Sequence, residues 1–406
     1  MSYFQGIQTL PPDALFDLKA RCNKDPNPQK VDLGIGAYRD ESGKPWILPS
    51  VRLAEKKLQQ DPTYNHEYLG ISGYAPFTES AKKVILGDYS GPVVSQQSLS
   101  GTGALHVAGL FLYKFLTTSG KKNLYLSNPT WGNHKQIFSE IGFDVKSYPY
   151  WSQDKTLDIS GFLSTIESAQ SGSIFLLHAC AHNPTGLDPT ESQWKQIIDL
   201  INQKNHIAIF DSAYQGFASG DLVKDRFSID YALSHKTNTP IVICQSFAKN
   251  MGMYGERVGA IHIVNDDLQV NKAIISQLNK IIRSEISNPP AYGSKVVSLI
   301  LQDQELYNQW NKDLLTMSGR IHEMRLLLRK NLISLQTPGN WDHIVDQQGM
   351  FSFTGLNAKQ VERLEKVHSI FMTSNGRASI AGLNKGNVER VAKAIDEVVR
   401  YKGSNL

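Results

Sequence analysis

The segment Ile241-Val242-Ile243-Cys244-Gln245-Ser246-Phe247-Ala248-Lys249-Asn250-Met251-Gly252-Met253-Tyr254-Gly255-Glu256-Arg257 decides how the rest of the chain reads. It opens on an apolar, partly β-branched run, the pattern of a buried strand. A hydroxyl, Ser246, then precedes Lys249, and Arg257 follows it. A surface lysine is a strongly hydrated charge. One held in a pocket has a depressed pKa and can serve as a nucleophile or Schiff-base partner. Solvated surface lysine is the plain alternative, and the neighbouring runs decide between the two.

Those runs repeat the strand pattern. Asn123–Leu126, Ser173–Leu177, His206–Phe210 and Val258–Val264 are short apolar stretches between turn signals. Helical patterns separate them. The clearest starts at Thr190, where Thr190 and Gln193 form a capping box and Trp194, Ile197, Ile198 and Ile201 mark an apolar face. Strand–helix–strand repetition predicts an α/β fold with a mostly parallel central sheet covered by helices. Such sheets bind ligands beyond the carboxyl ends of their strands. At those ends stand Asn128–Trp131, His178–Asn183, Asp211, and Ser246 with Lys249. Further on, Leu306, Trp310, Leu314, Met317, Ile321, Met324, Leu328 and Leu332 recur every three or four residues. That spacing predicts one long helix over 304–335, a spine between a large domain and a smaller α+β one. The smaller part has a strand near Met350–Phe353 and a last helix over 387–400.

The 406 residues, 41% hydrophobic and 20% charged, allow two domains with large cores. A net charge of +4 without a basic block suggests neither nucleic acid nor membrane as a partner. Met1–Gln5 has neither a secretory apolar core nor an Arg-rich presequence pattern, which points to the cytoplasm. Cys22, Cys180 and Cys244 are scattered, as reduced intracellular thiols are. Ser404-Asn405-Leu406 is a weak match to a peroxisomal tail.

Several motifs carry chemistry. Ser100-Gly101-Thr102-Gly103 before an Ala/Leu-rich helix is either an anion seat or an ordinary N-cap. Neither it nor Gly34-Ile35-Gly36-Ala37 is a dinucleotide fingerprint. Arg257 and Ser246 could complete a phosphate site. Asp211, ahead of Tyr214, either caps the next helix or pairs with a cationic heterocycle nitrogen. Asn183 sits on a Pro184 turn and either shapes it or bonds a ring oxygen. His178 and His182 flank Cys180 but lack further ligands at zinc spacing, so no metal is expected. Arg283 and Arg377 have apolar or small neighbours. They read as surface ion pairs or, together, as readers of a dicarboxylate.

Taken together, Val31–Arg39, Asn65–Gly70, His178–Gly186 and Gln245–Gly259 resemble the aspartate aminotransferase family, in its fungal cytosolic branch, over nearly the whole chain. Gly70 stands where many relatives carry proline. The resemblance implies fold type I of the pyridoxal-phosphate transferases, a homodimer, and ping-pong amino transfer between aspartate and 2-oxoglutarate. It implies an arm and part of the small domain in 1–45, a large cofactor domain in 46–316 and the remaining small domain in 317–406. Lys249 would hold pyridoxal phosphate as a Schiff base, Asp211 would protonate the ring nitrogen, and Tyr214 and Asn183 would bond the phenolic oxygen. Ser100, Gly101, Thr102, Ser246 and Arg257 would hold the phosphate, with Trp131 over the ring. Arg377 would take the α-carboxylate and Gly36 would close on the substrate. Tyr68 and Arg283 would reach the partner's site, toward phosphate and distal carboxylate. The nearest rival is an aromatic aminotransferase of the same family. From another class, Ser246-Phe247-Ala248-Lys249 is formally Ser-x-x-Lys, but the other serine acyl-enzyme elements are missing.

Overall fold

Buried apolar runs set the sheet. In a computed structural model, which describes residues 2–116 and 122–401, Ile174–His178, Ile207–Ser212, Ile241–Ser246 and Val258–Val264 are buried along their whole length. Strands covered on both faces read as continuous rather than alternating apolar runs, as these do. The sheet has seven strands, in the spatial order Val93–Leu99, Val258–Val264, Ile241–Ser246, Ile207–Ser212, Ile174–His178, Asn123–Asn128 and Asp144–Pro149. All run parallel except Val258–Val264, which is antiparallel to both neighbours. The chain reverses its direction of travel across the sheet between Asn123–Asn128 and Ile174–His178, the kind of place where open α/β sheets bind ligands.

Two strands of this sheet lay outside the sequence expectation. Val93–Leu99 buries Gln96 and Gln97; Gln96 Nε2 donates to Asn279 Oδ1 at 3.0 Å, Gln97 Nε2 donates to the Pro290 carbonyl at 2.8 Å, and Gln97 Oε1 accepts from the Tyr74 amide at 3.0 Å. A polar strand paired this way has no apolar signature. Asp144–Pro149 is an edge strand with exposed Lys146 and Ser147.

The Thr190 capping box is present, with both reciprocal hydrogen bonds. The long helix spans Gln304–Ser334, capped by Asp303, and buries the whole predicted stripe. Early in the helix Asp313 accepts from the Ser50 amide at 3.0 Å and Trp310 donates to the Asn250 carbonyl at 2.8 Å. Later Arg320 donates to the Leu383 carbonyl at 2.7 Å. One element thus touches both the sheet-bearing part of the chain and its last segment. There Arg377–Ser379 pairs antiparallel with Phe351–Phe353, and Ile370–Phe371 pairs with Val31–Asp32. The last helix is Val388–Arg400. No helix among the described residues is long and apolar enough to cross a membrane. Residues 404–406 lie outside the described part.

Candidate active site

A cavity of about 220 Å³ opens at the carboxyl ends of the parallel strands. Its walls hold Gly36, Ser100, Gly101, Thr102, Trp131, Asn183, Asp211, Tyr214, Ser246, Lys249, Arg257 and Arg377. Twelve of the fourteen residues singled out in the sequence therefore converge on one space. Tyr68 and Arg283 do not. Tyr68 is 84% exposed between two helices, and Arg283 faces outward on the helix Leu268–Ile286, bonded to Ser287.

At one end hydroxyls and a guanidinium gather. Ser100 Oγ and Ser246 Oγ lie 2.8 Å apart, and Ser246 Oγ also accepts from the Ala248 amide. The helix Ser100–Phe115 starts here with no side-chain cap, so the plain N-cap reading does not hold. Ser100 and Arg257 both have positive φ, 58° and 52°, a costly conformation for residues with a Cβ. Gly259 makes the approach possible. A Cβ there would stand 2.5 Å from the Gln245 carbonyl and 2.7 Å from Ser100. Burial pushes the Arg257 pKa down, and this half-buried cation lines the same cavity. The set suits a phosphate.

At the other end stands Asp211, 8% exposed. It does not cap a helix; its Oδ2 accepts from His134 Nε2 at 3.0 Å. The polarity of that bond follows from a chain of partners. The Asn183 amide donates to His178 Nδ1 at 3.4 Å, so the His178 hydrogen is on Nε2, which donates to Thr130 Oγ1 at 3.2 Å. The Thr130 hydroxyl then donates to His134 Nδ1 at 2.9 Å, leaving His134 Nε2–H to donate to Asp211. Burial, chiefly, pushes His178 down to about 3, so it stays neutral in this chain. Burial pushes Asp211 upward, but the His134 hydrogen bond and the charges of its neighbours, Lys249 among them, hold it below the ordinary carboxylate range. Its Oδ1 has no hydrogen bond among the described residues.

Between the two ends lies Lys249, its Nζ 5.6 Å from the centre of the Tyr214 ring. Burial, aided by Arg257, lowers its pKa while Asp211 opposes the shift. Tyr214 is pushed up by burial and keeps its phenolic proton. Trp131 packs edge-on against His134 at 5.1 Å. Across the cavity Arg377, 6% exposed, has no carboxylate partner among the described residues. Its Nη2 donates to the Gly34 carbonyl at 3.0 Å, its Nε is unpaired, and its guanidinium lies over the Phe351 ring at 4.3 Å.

Sequence reasoning missed His134, Leu15, Leu105, Ala213 and Phe351. His134 sits just after Thr130 and Trp131, inside the helix Gly132–Ile141, and no spacing rule sets it apart. His182 supports rather than lines the site, with both ring nitrogens taken by Ser127 and Thr185 at 2.8 Å.

Residues 28–395 match the family described as aminotransferase class I and II. The chain belongs to the class I and II aminotransferases. It is 57% identical to the cytoplasmic aspartate aminotransferase of Saccharomyces cerevisiae, across 98% of this chain and 97% of that protein. The solved structure of aspartate aminotransferase from Saccharomyces cerevisiae cytoplasm superposes with a TM-score of 0.96 at 56% identity, covering 99% of each chain. An aromatic-amino-acid aminotransferase from Burkholderia pseudomallei, solved covalently bound to pyridoxal phosphate, follows at TM-score 0.94 and 36% identity, covering 98% of this chain and 100% of that one. The fold is type I, and this aminotransferase depends on pyridoxal phosphate. Its residues fit that cofactor. They offer an anion seat at one end, an ionised carboxylate with a free oxygen at the other, and a lysine between. The buried Asn183 Oδ1 is another unpartnered polar atom on the wall.

Proposed function

We propose that this aminotransferase moves the amino group of L-aspartate to 2-oxoglutarate, giving oxaloacetate and L-glutamate in two half-reactions. The single observation that carries the reading is the placement of Lys249 between an ionised Asp211 and the Ser100–Ser246–Arg257 seat, with an unpaired Arg377 facing them.

Bound pyridoxal phosphate supplies the electron sink that makes the substrate Cα–H acidic. Asp211, held ionised through His134, would keep a proton on the ring nitrogen. Tyr214 and Asn183 would bond the phenolic oxygen. Ser100, Gly101, Thr102, Ser246 and Arg257 would fix the phosphate, and Trp131 would lie over the ring. Lys249 would anchor the cofactor. Its Nζ, with a pKa lowered by burial, would also be the base that takes up and hands back the proton of the substrate Cα. Arg377 binds the α-carboxylate, and Gly36 covers the bound substrate. The second carboxylate needs another cation, and Arg283 of a second copy of the chain is the reading we favour. Tyr68 of that copy would reach the phosphate in the same way. Their exposure on the single chain is what a shared, homodimeric site requires. We read 46–316 as the cofactor domain, 1–45 as an N-terminal arm and part of the smaller domain, and 317–406 as the remainder of that domain. The relatives named cytoplasmic support a cytoplasmic location and lend nothing to a peroxisomal one.

The aromatic reading remains a second one because the Burkholderia relative shares the fold. A panel of amino donors with 2-oxoglutarate separates them. Aspartate should lead phenylalanine by at least about a hundredfold in kcat/KM, the scale of one paired carboxylate. Equal rates on both would favour the aromatic reading.

A further inference from the structure

Arg325 lies on the long helix Gln304–Ser334 and is 1% exposed. It sits between Ile321 and Leu328 on the buried face of that helix. A buried guanidinium normally meets a carboxylate, yet this one meets three backbone carbonyls. Its Nη1 donates to Ile344 at 2.8 Å, and its Nη2 donates to Gly349 at 2.8 Å and Phe351 at 2.6 Å. Burial pushes its pKa down to about 9; Asp188 opposes the shift through space, but that carboxylate is engaged by the Ala181 and His182 amides. A rigid planar fork holds three points of a loop in fixed directions; an ammonium also has three donors, but on a flexible stem it imposes no such geometry.

The segment so held runs into Phe351, which lines the catalytic cavity. The far side of the segment is pinned too, since the Gln348 amide donates to the Gly186 carbonyl at 2.6 Å. Gly186, with φ 69°, allows that approach, because a Cβ there would meet the Phe351 carbonyl at 2.6 Å. Phe351 follows directly. Its carbonyl is taken by Arg325, its ring lines the cavity, and the Arg377 guanidinium lies over that ring at 4.3 Å. Among the described residues Arg377 has one hydrogen bond from its guanidinium, to Gly34. Its aim therefore depends heavily on where Phe351 sits.

We infer that Arg325 is a positioning residue that sets the aim of Arg377 through the Phe351 backbone and ring, and so tunes affinity for the substrate α-carboxylate. The inference rests on the reading of Arg377 given above. It concerns binding, not proton transfer, so it predicts a split between KM and kcat.

The test compares holoenzymes carrying Arg325→Lys, Arg377→Lys and both. Arg325→Lys keeps the charge and loses the fork. It should raise KM for aspartate and for 2-oxoglutarate about tenfold, leave kcat within about threefold, and keep the visible absorbance of bound cofactor. Added to Arg377→Lys, it should change KM by less than about twofold, because its route is already broken. Arg329→Ala, a surface pair with Asp342 one turn along the same helix, should leave KM unchanged. An unchanged KM in Arg325→Lys, or effects that multiply in the double variant, would overturn the inference. So would failure of Arg325→Lys to form holoenzyme, which would make the residue a fold element alone. A wild-type protein without transaminase activity would instead sink the proposed function.

Discussion

Lys249 and Asp211 share one cavity, and their environments push both pKa values downward with opposite consequences. For the carboxyl group the shift preserves a charge; for the ammonium it releases one. Replacing Lys249 by Ala should leave the phosphate seat intact. The variant should bind pyridoxal phosphate, seen as retained absorbance after gel filtration, yet show no multiple turnover. Normal turnover would remove Lys249 from the chemistry. Asp211 gives a second test. His134 Nε2–H favours the ionised form, so its loss must raise the Asp211 pKa. Activity that needs the carboxylate is present above that pKa and lost as pH falls through it. His134→Leu should therefore move the acid limb of kcat/KM upward, by about one unit. An unmoved limb would mean that His134 does not hold the charge.

At the level of elements, the helix 191–203 shows what its sequence already dictated. Thr190 accepts from the Gln193 amide and Gln193 answers to the Thr190 amide. Thr190→Ala should cost about 1 kcal/mol of stability in urea unfolding, with activity unchanged below the transition. A loss near zero would mean the box is redundant with tertiary packing. The same legibility held for the fully buried strands and the long helix, where burial imposes a period that the residues must follow. It failed where polar groups satisfied one another. Gln96 and Gln97 hide an edge strand because their partners, Asn279, Tyr74 and the Pro290 carbonyl, are remote in sequence. His134 was illegible for the same reason, as its meaning comes from Asp211 and Thr130 once the chain has folded. Arg377 was readable as an odd arginine among small neighbours, but the Phe351 ring beneath it was not.

On the scale of the whole molecule, the single chain gathers every proposed site residue except Tyr68 and Arg283. A dimer that lends those two across its interface makes a quantitative forecast. Arg283→Ala should lose about 3–5 kcal/mol of transition-state binding with dicarboxylates, while a neutral donor is spared. Inactive Lys249→Ala chains mixed with Arg283→Ala chains under conditions that exchange subunits should then regain activity. Each mixed dimer has one site with both residues intact, so random exchange restores about a quarter of the sites. Activity that stays at the sum of the two parents would place Arg283 in its own chain's site or in none.

The account turns on a covalent bond between Lys249 and the cofactor aldehyde. Borohydride reduction of the purified holoenzyme, followed by proteolysis and mass mapping, tests it most directly. The phosphopyridoxyl mass should appear on the peptide containing Ser246-Phe247-Ala248-Lys249. A label on any other lysine, or none on a chain that transaminates, would contradict it.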